Sequence, residues 1–207
     1  YQIGGSGRIQ GEIDFALLRA ALEDLVRENE GLRQQFCVRN GRASGYFVSP
    51  EQTAQMGWKD FLQSGDPRRE FEAWAHTQLN SPFLLIDSPL YAFTIFRITR
   101  QETGYFIKLH HLIADGWSVE LITKRVARAY EERLRGDRRT RHFPSYADYV
   151  AAEQSLLCSD QLERQTGFWV DRLSPPPEIA ALDGDVVGQA SRTTLYPAVA
   201  RMDALRH

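Results

Sequence analysis

The chain has 207 residues, 43% of them hydrophobic and 25% charged, with a formal net charge of −2. That composition belongs to a globular chain long enough to bury a substantial core. It excludes a fibre, a disordered tract and any global attraction to nucleic acid or an anionic membrane. No apolar run reaches the roughly 18 residues of a spanning helix, and Cys37 and Cys158, without CxxC spacing, favour a reduced, cytoplasmic setting over a disulfide framework.

The opening YQIGGSGRIQGEID lacks the basic start and apolar middle of a signal peptide and reads as mid-domain sequence. A short strand over Arg8 to Ile13 leads to Asp14, a good helix N-cap. From Phe15 to Glu30 the set Leu18, Ala21, Leu22, Leu25 and Val26 has helical spacing, and Gly31 supplies a stop. In LRQQFCVRNGRASGYFVS the Asn40-Gly41 pair is a two-residue turn between strand-like runs, which predicts a hairpin. DPRREFEAWAHTQL, residues 66 to 79, predicts a helix capped by Asp66 with Pro67 in its first turn. LYAFTIFRI and GYFIKLHH, joined by TRQETG, predict two strands of a well-covered sheet.

After the histidines the period changes. Val119, Ile122, Val126, Tyr130 and Leu134 line one face of a helix ending near Gly136. The Arg138, Arg139 and Arg141 cluster that follows reads as solvated loop charge. Ser145 and Ser159 are caps for two more helices, Pro175 to Pro177 end them, and a loop runs to about Val187. SRTTLYPAVARM predicts a last strand before MDALRH, a helix cut off in its first turn. Strands and helices mixed in this way predict an α/β domain, a layered sandwich in which helices cover a mixed sheet.

The stretch HHLIADGWS, residues 110 to 118, carries the chemistry. Successive strand side chains point to opposite faces, so His110 and His111 do not readily share one metal. His76 and His142 have no ligand spacing to them, and no metal is expected. There is no GxSxG elbow for a nucleophile. Acyl-transfer chemistry fits better: one imidazole faces a cavity and handles a proton while the other turns inward and is held. Asp115 pairs with a cation and pins the loop, and Gly116 lets backbone approach a substrate. The following helix points its positive end toward a developing oxyanion. A structural histidine at a strand end beside an Asp-Gly turn is the competing reading.

HHLIADG fits the HHxxxDG signature of condensation domains from nonribosomal peptide synthetases, and the chain resembles that family beyond these seven residues. RIQGEIDFALLRAALEDLVRENEGLRQQF, SPFLLIDSPLYAFTIFRI, FPSYADYVAAEQ and GFWVDRL follow in the family's order over most of residues 8 to 173. The resemblance implies a chloramphenicol acetyltransferase-like lobe, with residues 1–207 as the N-terminal lobe and the C-terminal lobe absent. It also implies amide-bond formation between carrier-bound donor acyl and acceptor aminoacyl thioesters.

By position, His111 resembles the catalytic histidine, acting as general base or holding the amine. His110 and Asp115 resemble structural members of the same motif, and Gly116 the residue that keeps the substrate channel open. Arg33 resembles the arginine that pairs with the Asp, and Trp117 and Ser118 match the common continuation, Ser118 serving equally as a helix cap. No cofactor is bound directly, because phosphopantetheine belongs to the carriers. The implied partners are donor and acceptor carrier proteins, an adenylation domain and the missing lobe. LRQQF departs from the family in lacking a threonine after the arginine, and the helix after DGWS resembles siderophore-type and chain-starting members. An epimerization domain or another HxxxDG acyltransferase, or a non-catalytic carrier-docking module, are the alternatives.

Overall fold

The computed structural model describes residues 1–53, 55–137 and 143–176, and the backbone of 198–201. The chain divides into two compact units: Tyr1–Phe143 with Leu195–His207, and Pro144–Thr194.

The first unit is built on a five-stranded mixed sheet of order β4-β5-β6-β1-β7. Its strands are β1 (Gln2–Gln10), β4 (Gly57–Asp60), β5 (Tyr91–Thr99), β6 (Glu102–His110) and β7 (Ala198–Arg201). β6 lies antiparallel between β1 and β5, with Gln2 opposite His110 and Tyr91 opposite Leu109. β4 and β7 add parallel to the outer sides. A hairpin of β2 (Gln34–Arg39) and β3 (Arg42–Phe47) stands apart from this sheet. Its turn places Asn40 at φ 51° and Gly41 at φ 73°, the left-handed pair that matches hairpin twist and that Asn-Gly adopts at low cost.

Three helices cover the sheet. α1 (Phe15–Glu28) and α3 (Gly116–Leu134) lie on one face, and α2 (Pro67–Asn80) on the other. α1 buries Leu18, Ala21, Leu22, Leu25 and Val26, the stripe its sequence spacing predicts. The Asp14 carboxylate accepts from the amides of Ala16 at 2.8 Å and Leu17 at 3.0 Å, satisfying donors that have no intrahelical partner. These residues meet Tyr91, Phe93, Ile95, Tyr105, Ile107 and Leu109 of the sheet and Ile122, Val126 and Tyr130 of α3. On the opposite face Phe61, Phe71, Phe96, Ile98 and Phe106 form a second cluster, with Trp74 and Leu79 packed on it. The sheet is therefore a buried middle layer, and β6 is buried along its length up to its last residue. The buried Glu102 is matched by Arg8 at 3.5 Å and Arg68 at 2.7 Å.

The second unit contains α4 (Tyr146–Leu157) and α5 (Asp160–Arg172), with Ser145 accepting from the amide of Asp148 at the start of α4. Among the described residues no helix is long and apolar enough to cross a membrane.

One expectation changes, and one strand is added. The first strand runs from Gln2 to Gln10 rather than from Arg8 to Ile13, because β6 offers it backbone partners over its whole length. β4 is not signalled by its own sequence and exists through its pairing with β5. Of the last predicted strand, Ala198–Arg201 is a strand. The loop from 177 to 187, the final helix at 202–207, the arginines 138, 139 and 141, and His142 lie outside the described residues.

Candidate active site

The site is assembled where β6 ends and α3 begins. Alternation along β6 sends Tyr105, Ile107 and Leu109 toward α1 and α3, and sends Phe106, Lys108 and His110 toward the α2 side. His110 is the last strand residue, and its amide donates to the carbonyl of Leu90 at 2.9 Å. Its Nδ1 accepts from the amide of Leu112 at 3.1 Å, and its carbonyl accepts from the amide of Ile113 at 3.0 Å. A ring nitrogen that accepts from an amide is unprotonated, so the neutral ring carries its proton on Nε2. Burial holds the His110 imidazole below its ordinary pKa of 6.5.

His111 begins the turn that leaves the sheet. Its amide donates to the carbonyl of Tyr1, the residue before β1, at 3.1 Å. Its side chain is exposed, and no described residue hydrogen-bonds the imidazole. The two histidines thus separate as strand geometry requires, one half-buried and bound to backbone, the other open. Among the described residues no group of three or more His, Cys, Asp or Glu side chains gathers in a metal-binding arrangement.

Asp115 is the N-cap of α3. Its Oδ1 accepts from the Ser118 amide at 2.8 Å and the Ser118 hydroxyl at 2.6 Å, while its own amide donates to Ser118 Oγ at 3.2 Å. These bonds, the Ser118 hydroxyl first, hold its carboxyl below the ordinary aspartate value. The reciprocal pair makes Asp115 the cap and Ser118 its answering residue, a reversal of the role expected for Ser118. It also places a carboxylate on the positive end of α3, which offsets the help that end was expected to give an oxyanion. A Cβ on Gly116 would meet nothing within 4 Å, so this chain's own packing does not demand glycine there. Trp117 is 67% exposed beside it.

The expected ion pair between Arg33 and Asp115 is not formed. Arg33 closes the 3-10 turn Glu30–Arg33. One guanidinium nitrogen donates to the carbonyl of Val48 at 2.6 Å, and the Arg33 carbonyl accepts from the Val48 amide at 3.1 Å. Its Nε is buried without a partner. Arg33 therefore ties the entrance of β2 to the exit of β3, while the Asp115 carboxylate is occupied at the helix cap.

Sequence reasoning passed over the polar group beneath His110. Lys108, whose burial lowers its pKa, donates to Ser81 and lies over the Phe83 ring. The available signal was a lysine inside the apolar run YFIKLHH.

A family model for the condensation domain matches residues 1–200. Among curated proteins, the chain is 29% identical over 195 residues to a linear gramicidin synthase of Brevibacillus parabrevis, covering 89% of this chain and 4% of that protein. It is 27% identical over 175 residues to a dimodular nonribosomal peptide synthase of Bacillus subtilis (strain 168), covering 84% and 7%. Among solved structures, the starter condensation domain of rhizomide synthetase superposes with a TM-score of 0.78 at 23% identity, over 84% of this chain and 42% of that one. The first condensation domain of the CDA synthetase does so with a TM-score of 0.70 at 25% identity, over 86% and 46%. The chain therefore spans a small part of each curated relative and less than half of each solved structure.

Proposed function

The chain belongs to the condensation-domain family of nonribosomal peptide synthetases, and from the exposed, unbonded His111 imidazole we propose that it carries the histidine side of an amide-forming site. Its fold is the layered, chloramphenicol acetyltransferase-like α/β architecture. In the proposed reaction the amine of an acceptor aminoacyl thioester attacks the carbonyl carbon of a donor acyl thioester. The new C–N bond forms, the C–S bond breaks, and the amine proton passes to the departing thiol.

His111 accepts the hydrogen bond of the attacking amine, holding it or removing its proton. A base placed in this way is worth about 10²–10⁴-fold, and the remaining acceleration comes from bringing two tethered reactants together. His110 and Asp115 support this role through backbone bonds, one closing the turn and the other starting α3. Gly116 and Trp117 line the approach. The substrates arrive on phosphopantetheine arms of donor and acceptor carrier proteins, so the chain itself needs no bound cofactor. Residues 1–207 act as the N-terminal lobe, with the partner lobe and an adenylation domain as neighbours in a cytoplasmic synthetase, and the chain alone does not turn over.

The test is product formation by the full-length synthetase with loaded carriers, read by mass spectrometry. His111→Ala is expected to lower the rate by at least about 10²-fold; unchanged product would refute the assignment. An epimerised carrier-bound residue with no new amide would move the chain to the epimerization branch.

A further inference from the structure

We propose that Lys108 and Phe83 are positioning residues for the histidine pair, acting through a partly buried contact between β6 and the end of α2. This rests on the catalytic reading of His111 above.

Lys108 is 6% exposed and makes no ion pair among the described residues. Its ammonium donates to the Ser81 carbonyl and to Ser81 Oγ at 3.1 Å, and stands 4.4 Å from the centroid of the Phe83 ring. Gln2, directly across the sheet from His110, donates to the same Ser81 carbonyl at 3.0 Å and to the carbonyl of Leu79. Ser81 caps α2 at its C-terminal end, where carbonyls lack intrahelical donors and the helix dipole is negative. Gly4 sits opposite Lys108, and a Cβ there would fall 2.4 Å from the Ile107 carbonyl oxygen and 2.8 Å from Leu79 Cδ2. Glycine there is needed first for the close approach of β1 to the β6 backbone, and it also leaves room for the Leu79 side chain near the end of α2.

Two residues further along the same face of β6, the His110 ring meets the Phe83 ring nearly perpendicular, at 83° and 6.2 Å between centroids. Such edge contacts are specific in orientation. Lys108 thus holds Ser81 and Phe83, Phe83 sets the His110 ring, and His110 Nδ1 holds the Leu112 amide in the turn that presents His111. A buried ammonium is costly unless its bonds are used, and a methionine would fill this space without that cost. The mechanism gives Lys108 no other task.

Ring-nitrogen NMR of the ¹⁵N-labelled chain tests the link directly. The wild type is expected to show His110 as the Nε2–H tautomer. Lys108→Met and Phe83→Leu are each expected to collapse that pattern toward averaged tautomers while the amide resonances of α1 stay in place. In the full-length synthetase both variants are expected to lower kcat roughly tenfold, with KM for the acceptor-loaded carrier changing less than about twofold, and Lys108→Arg to recover part of the loss. Wild-type ring resonances in Lys108→Met would overturn the proposal. If that variant loses the α1 resonances, Phe83→Leu decides by the same readout. If His111→Ala keeps full activity, the catalytic reading fails, and the ring resonances still decide whether Lys108 positions His110.

Discussion

The Asp115 carboxylate is bonded to Ser118, 2.8 Å from its amide and 2.6 Å from its hydroxyl, and not to Arg33. Arg33 and Asp115 each do their structural work on a different segment, the hairpin and the start of α3. Asp115→Ala is therefore expected to fray α3, Arg33→Met to loosen the hairpin, and the two effects on unfolding free energy to add in a double-mutant cycle. A strong coupling between them would show that the ion pair forms. Because the folded-state pKa of Asp115 is depressed below its ordinary 3.8, the cap contributes above that pH and is lost as pH falls below it.

His110 predicts a second pH effect with its own sign. Its folded-state pKa lies below the ordinary 6.5, so between the two values the unfolded chain binds a proton that the folded chain refuses. Stability is expected to fall as pH drops below 6.5, where protonation turns Nδ1 from acceptor into a donor facing the Leu112 amide. His110→Asn keeps an acceptor near that amide and does not titrate. Urea unfolding between pH values on either side of this window is expected to show a flatter slope for the variant.

The core on the α1 face predicts a large, local cost. Leu22 is 0% exposed and lies among the side chains of α1, α3 and the sheet. Leu22→Ala is expected to lose about 2–5 kcal/mol, as lost transfer energy plus a cavity that the rigid middle layer cannot collapse. Chemical denaturation measures it.

The β1–β6 seam separates two glycines that look alike in sequence. A Cβ on Gly104 would lie 2.0 Å from the Gly7 carbonyl oxygen, whereas one on Gly5 would meet nothing within 4 Å. Gly104→Ala is expected to cost at least about 1–3 kcal/mol by overpacking. Gly5→Ala is expected to stay within about 0.5 kcal/mol of the parent. Thermal unfolding of the two variants gives the comparison.

At Gly116 the prediction is a separation of folding from function. The space beyond its Cα is open, so Gly116→Val is expected to fold as the parent does. It is expected to lose condensation in the full-length synthetase, because the added side chain stands in the approach to His111. Equal activity would show that the channel does not pass there.

Much of the fold was legible because its signals are local. Helical spacing identified the buried stripe of α1, Asn40-Gly41 the hairpin turn, and the change of period after His111 the junction of β6 with α3. β4 was hidden because an edge strand of four residues owes its existence to β5, and the full extent of β1 was hidden because β6 supplies its partners. Around the site, sequence located the histidines and the start of α3 but put the cap on Ser118, where the structure has Asp115. It assigned Asp115 the wrong partner, since a family pattern gives a residue's company but not the local hydrogen bonds that compete for it.

Sequence by itself determined the chemistry available here: adjacent imidazoles at a strand end, a carboxylate a few residues on, and a glycine without a side chain to block approach. Strand alternation already required that the histidines diverge. Tertiary structure alone decided how each is held. The burial of Lys108, its bond to Ser81 and the contact of Phe83 with His110 join residues far apart in the chain. Nothing in their local sequence could specify those contacts, because they exist only once α2 has packed against the sheet.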